Sequence, residues 1–68
     1  MAIYTLTLQA ADSSEVIMGA TDASMIETNG GLRMSPAAIK VLVDAGDTIC
    51  VKLFDNAPGL PVLSVVEV

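Results

Sequence analysis

The chemistry open to a chain is set first by its proton carriers, nucleophiles and metal ligands, and this chain has few. Its 68 residues contain no histidine, so the commonest general base is missing. Cys50 is the single cysteine, and only Lys52, two positions on along the same strand face, is placed to lower its pKa. A reactive thiolate needs an exposed electropositive niche, so an inert packed or interface thiol is expected. One cysteine without histidine makes no zinc site and leaves no intramolecular disulfide. Asp44 and Asp47 flank Gly46 like half a calcium loop, but calcium needs more oxygens and EF-hand spacing is absent. Turn chemistry, with Asp bonding nearby backbone N–H groups, accounts for them, for Asp12 with Glu15, and for Asp55 with Asn56. Asn29-Gly30-Gly31 lacks the Lys-Ser/Thr and following helix of a phosphate loop. Met18, Met25 and Met34 could line an adaptable binding surface, although such residues more often fill a core or an interface. No catalytic set, cofactor site or metal site is expected, and the chain reads as a non-enzyme.

Charge narrows the partners. Eight carboxylates stand against Arg33, Lys40 and Lys52, for a formal net charge of −5. Neutralising phosphates needs clustered cations, and stacking on single strands needs aromatics, of which only Tyr4 and Phe54 exist. No nucleic acid and no membrane surface is expected as a partner. No apolar run approaches the ~20 residues of a membrane span. No basic region leading into an apolar stretch opens the chain, so cytoplasmic synthesis is expected.

Size adds a second constraint. A chain of about 60 residues buries only ~60% of its unfolded surface and usually needs a staple. Disulfide and metal are excluded above, which leaves partner subunits. The hydrophobic fraction of 53% exceeds what so small an interior can absorb, and exposed apolar patches mark interfaces. A homo-oligomer follows.

The elements that must position all this are mostly strands. In Ile3 to Ala10, positions 4, 6, 8 and 10 are apolar and Thr5, Thr7 and Gln9 polar, a period of two. Asp12 to Glu15 is a turn cluster, Val16-Ile17-Met18 a short strand, and Gly19 the mark of a bulge or a close backbone approach. A three-residue loop at 29–31 sets Thr28 opposite Leu32, Glu27 opposite Arg33 and Ile26 opposite Met34, matching charge with charge and apolar with apolar. Residues 36–45 allow two readings. As a helix, Ser35 is the N-cap, Pro36 the first residue and Gly46 the stop. As a strand, Ile39, Val41 and Val43 alternate. A hairpin turning at 44–46 then sets Val41 against Ile49 and Ile39 against Val51, within a strand running from Thr48 to Phe54. The strand reading is preferred for its clean apolar face. After the loop 55–61, Val62 to Val68 reads as a strand buried on both faces. The expectation for 1–68 is one mainly β domain, a small antiparallel β-sandwich or barrel of about six strands. The alternative is an α+β fold with one short helix at 36–45.

The stretch from Ala38 to Leu53, with apolar residues leading into Gly46-Asp47 and then Ile49, Val51 and Leu53, resembles a hairpin of the C1q/TNF-like jelly-roll family. Val62 to Val68 resembles that family's closing strand, and Tyr4 to Ala10 its early Tyr-led strand. This chain is about half the family's usual length and lacks its aromatic richness, so at most a trimmed relative is implied. The resemblance implies a trimer with apolar strands near a threefold axis.

Small size, acidity, apolar surplus and absent chemistry are also the general character of viral capsid decoration, or cement, proteins. The expectation is therefore a structural protein: a homotrimer seated on a larger protein scaffold such as a capsid shell and incorporated into a virion. Tyr4, Leu6, Leu8, Leu42, Phe54, Val62, Val66 and Val68 are the candidate interface residues. The first and last strands are the segments available to add to neighbouring sheets. The alternative is a trimeric recognition module that binds a receptor, glycan or small ligand through loops 12–15, 29–31 and 55–61.

Overall fold

A computed structural model describes residues 2–28, 31–54 and 56–68. The fold is mainly β. Strands β1 (Ile3–Gln9), β2 (Glu15–Thr21), β3 (Ile26–Glu27) and β4 (Arg33–Met34) precede one helix, α1 (Pro36–Asp44), and β5 (Cys50–Val51) and β6 (Leu60–Glu67) follow it. Four strands form an antiparallel sheet in the order β2-β1-β6-β5, and β3 pairs with β4. The two sheets meet where Thr28 bridges to Val51 and the Lys52 N–H donates to the Glu27 carbonyl at 3.0 Å.

The alternation in the first strand sets the core. Tyr4, Leu6 and Leu8 turn inward and are buried together with Ile26, Ile39, Val51, Val62 and Val65. The β1–β2 turn is closed by the Ala10 N–H to the Ser14 carbonyl at 2.8 Å, with Ser13 in the left-handed region at φ 71°. β2 runs further than its apolar triplet suggests, and Gly19 pairs with Thr5 in an unbroken ladder. Nothing in the chain lies within 4 Å of where a Gly19 Cβ would stand. Gly19 therefore marks neither a bulge nor a close approach, contrary to expectation.

The register from 26 to 34 is as read from the sequence: Ile26 with Met34, and Glu27 with Arg33. Thr28, a buried polar residue, donates both its N–H and its hydroxyl to the Leu32 carbonyl, each at 2.8 Å. The loop residues Asn29 and Gly30 lie outside the described residues.

The preferred strand at 36–45 is overturned, because the segment is helical. Ser35 sits in extended geometry and its hydroxyl accepts the Ala38 N–H at 3.2 Å, with Pro36 opening the helix. Gly46, at φ 94°, closes it. The Gly46 N–H reaches the Val43 carbonyl and the Asp47 N–H the Leu42 carbonyl, both at 3.0 Å. That pair of bonds is the Schellman ending, which favours glycine at this position. Both ends are thus satisfied locally, whereas Pro36 would have cost a strand one of its ladder donors. Ile39 is buried and Val41 exposed, as a helical period requires and a strand period forbids. The hairpin over 38–53 that carried the jelly-roll resemblance is consequently absent.

Two further expectations need correcting. The strand expected from Thr48 to Phe54 shortens to Cys50 and Val51, with single backbone bonds at Ile49 and Lys52 on either side, and Leu53 is exposed. β6 does lie inside the sheet, between β1 and β5, but only one of its faces is covered. Val62 and Val65 are buried, and Leu63, Val66 and Val68 are exposed. The register with β1 slips between Thr7 and Leu8, where Thr7 faces Ser64 and Leu8 faces Val62. Leu63 is the extra residue.

Candidate functional site

The residues singled out for chemistry are scattered. Cys50 is half-buried in β5, opposite Pro61. Lys52 is engaged elsewhere, with its ammonium 3.2 Å from the Glu27 carboxylate. Asp44 does not bond backbone N–H groups as expected, because its carboxylate takes the Lys40 ammonium one helical turn away at 2.5 Å. That contact raises the Lys40 pKa, through the hydrogen bond first and the charge attraction second. Asp12 does behave as turn chemistry predicts. It accepts the Ser14 N–H at 3.0 Å and the Ser14 hydroxyl at 2.5 Å, and these bonds, the hydroxyl's foremost, lower its pKa. Asp55 lies outside the described residues, and Asn56 adopts a left-handed φ of 66°. Among the described residues no three of Cys, Asp and Glu gather as a metal cluster would require, and no helix is long and apolar enough to cross a membrane.

The eight interface candidates divide by strand face. Tyr4, Leu6, Leu8 and Val62 are buried in the chain's own core and present nothing to a partner, which corrects their assignment. Alternation sends those side chains inward, and a small domain needs them there. Leu42 is half-buried on the helix. Phe54, Val66 and Val68 are exposed.

The structure adds two features that single-residue reasoning missed. The first is the outer face of the main sheet. Ile3, Ile17, Val66 and Val68, each at least half exposed, occupy it together with Thr5 and Thr7. Cross-strand register places Ile17 beside Thr7, Thr5 beside Val66, and Ile3 within reach of Val68, whose N–H bonds the Ile3 carbonyl at 2.7 Å. The signal was present in the sequence as apolar residues on the strand faces opposite the inward ones, but it needs the sheet order to become a surface. The second is a groove of about 310 Å³ between β2, β3 and β4 and the segment after β5. Met18, Met25 and Phe54 line it with Glu27, Arg33 and Lys52. Two of the methionines expected at an adaptable surface thus meet there. Met34 instead packs on the core.

Strand order also corrects which segments could extend a neighbouring sheet. β1 is paired along both sides and is not available. β6 meets β5 only at Leu60 and Pro61, so among the described residues its second edge has no strand partner from Leu63 to Glu67. The outermost strands of the four-stranded sheet are β2 and β5. No family, no curated protein and no solved structure matches this chain.

Proposed function

We propose that this chain is a non-enzymatic assembly protein, acting as a homo-oligomer seated on a larger protein shell in the manner of a capsid decoration or cement protein. The observation that supports this most is the apolar outer sheet face of Ile3, Ile17, Val66 and Val68. A chain of net charge −5 stays dispersed by repulsion, and leaving that much apolar surface in water is costly unless something covers it. Covering it supplies the partner burial that so small a domain needs. The threonines between the apolar residues suit a flat, wettable contact made after synthesis rather than a second core.

The test is the native mass over a dilution series, followed by co-sedimentation with assembled shells. An oligomer that persists on dilution and decorates shells supports the reading. A cooperative, folded monomer at every concentration refutes it.

The groove favours a second reading, recognition of a small apolar ligand or peptide. Its methionines adapt to shape, and it holds two of the chain's three cations. A ligand that protects the Met18 and Met25 methyl resonances without changing native mass would move the assignment to this reading.

A further inference from the structure

We infer that the free edge of β2 is a self-complementary dimer contact, in which two copies pair β2 with β2 antiparallel about a two-fold axis at Met18. This rests on the homo-oligomer reading above and names the contact.

The backbone fixes which groups are available. Antiparallel neighbours alternate between bonded and non-bonded pairs. Bonds at Ala10–Ser14 and at Ala2–Asp22, where the Asp22 N–H meets the Ala2 carbonyl at 3.0 Å, mark the bonded pairs at either end of the β1–β2 ladder. The bonded pairs are therefore Val16, Met18 and Ala20 with Leu8, Leu6 and Tyr4. The N–H and C=O groups of Glu15, Ile17 and Gly19 point the other way, out of the free edge. Thr21 would be next, but its N–H goes to the Ser24 hydroxyl at 3.2 Å and its carbonyl to the Ser24 N–H at 3.0 Å. Among the described residues nothing bonds the outward groups of Ile17 and Gly19. The edge also lacks the usual protections, since Glu15–Thr21 contains no proline, no lysine and no bulge.

The occupant follows from side-chain size. Pairing β2 with itself about Met18 sets Ile17 against the partner's Gly19, Val16 against the partner's Ala20, and Glu15 against the partner's Thr21. Each of these three pairs sets a larger residue against a smaller one. Ile17 is 66% exposed and would lie across a glycine beside which the chain leaves open space. The two Glu15 carboxylates fall at opposite ends, so no like charges meet. On the inner side, the two Met18 side chains meet at the axis beside the groove they already line. Such a contact is isologous and joins two four-stranded sheets into one, with their apolar outer faces continuous. It yields dimers or assemblies of even order, in place of the homotrimer expected from the sequence.

The experiment compares native mass and amide exchange of the wild-type chain with three variants. Gly19→Pro removes an outward N–H that β1 does not use, and proline is tolerated on strand edges. Gly19→Glu has room within the chain but sets its carboxylate diagonal to the partner's Glu15 and to the same substituted position of the partner, and like charges so placed repel. Ile17→Gly combined with Gly19→Ile exchanges the two sizes and restores the fit. The expected result is a wild-type dimer with Ile17 and Gly19 amides slowed at least tenfold relative to the diluted protein. Both single variants should be folded monomers by circular dichroism, and the size exchange should dimerise again. An oligomer that survives Gly19→Pro and Gly19→Glu overturns the β2 contact and leaves the assembly reading standing. A wild-type monomer overturns both.

Discussion

Ile39 and Val41 lie two residues apart on α1, one fully buried and the other 68% exposed, and truncating each in turn tests the central structural result. Ile39→Ala removes a fully buried aliphatic group where the helix meets the sheet, a change that costs about 2–5 kcal/mol. At about 0.05–0.15 kcal/mol per residue, a chain of 68 residues has roughly 3–10 kcal/mol in total. The substitution therefore takes a large share of it, and the midpoint should fall by about 4–8 °C for each kcal/mol lost. Val41→Ala loses no burial and gains helix propensity, so it should be neutral or stabilising by up to about 0.7 kcal/mol. Urea unfolding followed by far-ultraviolet circular dichroism reads both, at one fixed protein concentration because association adds to apparent stability. In a hairpin over 38–53 the two residues would share the inner face, opposite Val51 and Ile49, and both truncations would destabilise. Comparable losses from Ile39→Ala and Val41→Ala would refute the helix and the packing built on it.

Two further predictions concern the β1–β2 turn. Ser13, at φ 71°, carries a left-handed penalty of roughly 1–2 kcal/mol that glycine avoids, offset in part by glycine's greater freedom when unfolded. Ser13→Gly should raise the thermal midpoint by a few degrees, and a fall would show that the serine side chain holds the turn. The lowered pKa of Asp12 means that its bonds to Ser14 contribute fully above the unfolded value of 3.8 and are lost as pH falls through the lower folded value. The Ser14 amide proton shift should titrate below 3.8, and Asp12→Asn should abolish that titration. A Ser14 transition at or above the ordinary carboxylate value would show that the two bonds do not persist in solution.

Much of the β architecture was legible because it rests on short-range patterns. The alternation from Tyr4 to Leu8 put three apolar residues on one face of a strand, and charge matching named the register of Glu27 with Arg33. Glu27's ion pair was not legible. It goes to Lys52, which the bridge at Thr28–Val51 brings alongside from far along the chain. Residues 36–45 show why a period can mislead. Ile39, Val41 and Val43 satisfy a strand, while Ile39, Leu42 and Val43 satisfy a helix, and apolar content alone does not choose. Ser35, Pro36 and Gly46 did choose, since each meets a backbone requirement particular to a helix end. The candidate interface failed for half its members because alternation identifies which residues share a face but not which face looks inward. Strand order decides that, and it depends on pairings between residues some sixty positions apart, beyond the reach of any local pattern.

The position of β6 between β1 and β5 governs how the chain folds as it is made. Every other element precedes β6, yet without it the main sheet is reduced to the β1–β2 hairpin. An isolated hairpin is at best marginal in water, and closing so long a loop is slow in proportion to the entropy it costs. During synthesis the hairpin therefore waits with Tyr4, Leu6 and Leu8 uncovered, and α1 has no sheet to receive Ile39. Folding is late and all at once, completed only when β6 slots between strands already present. In that interval the exposed strands are open to neighbouring nascent chains, so crowding of unfinished chains favours aggregation over yield.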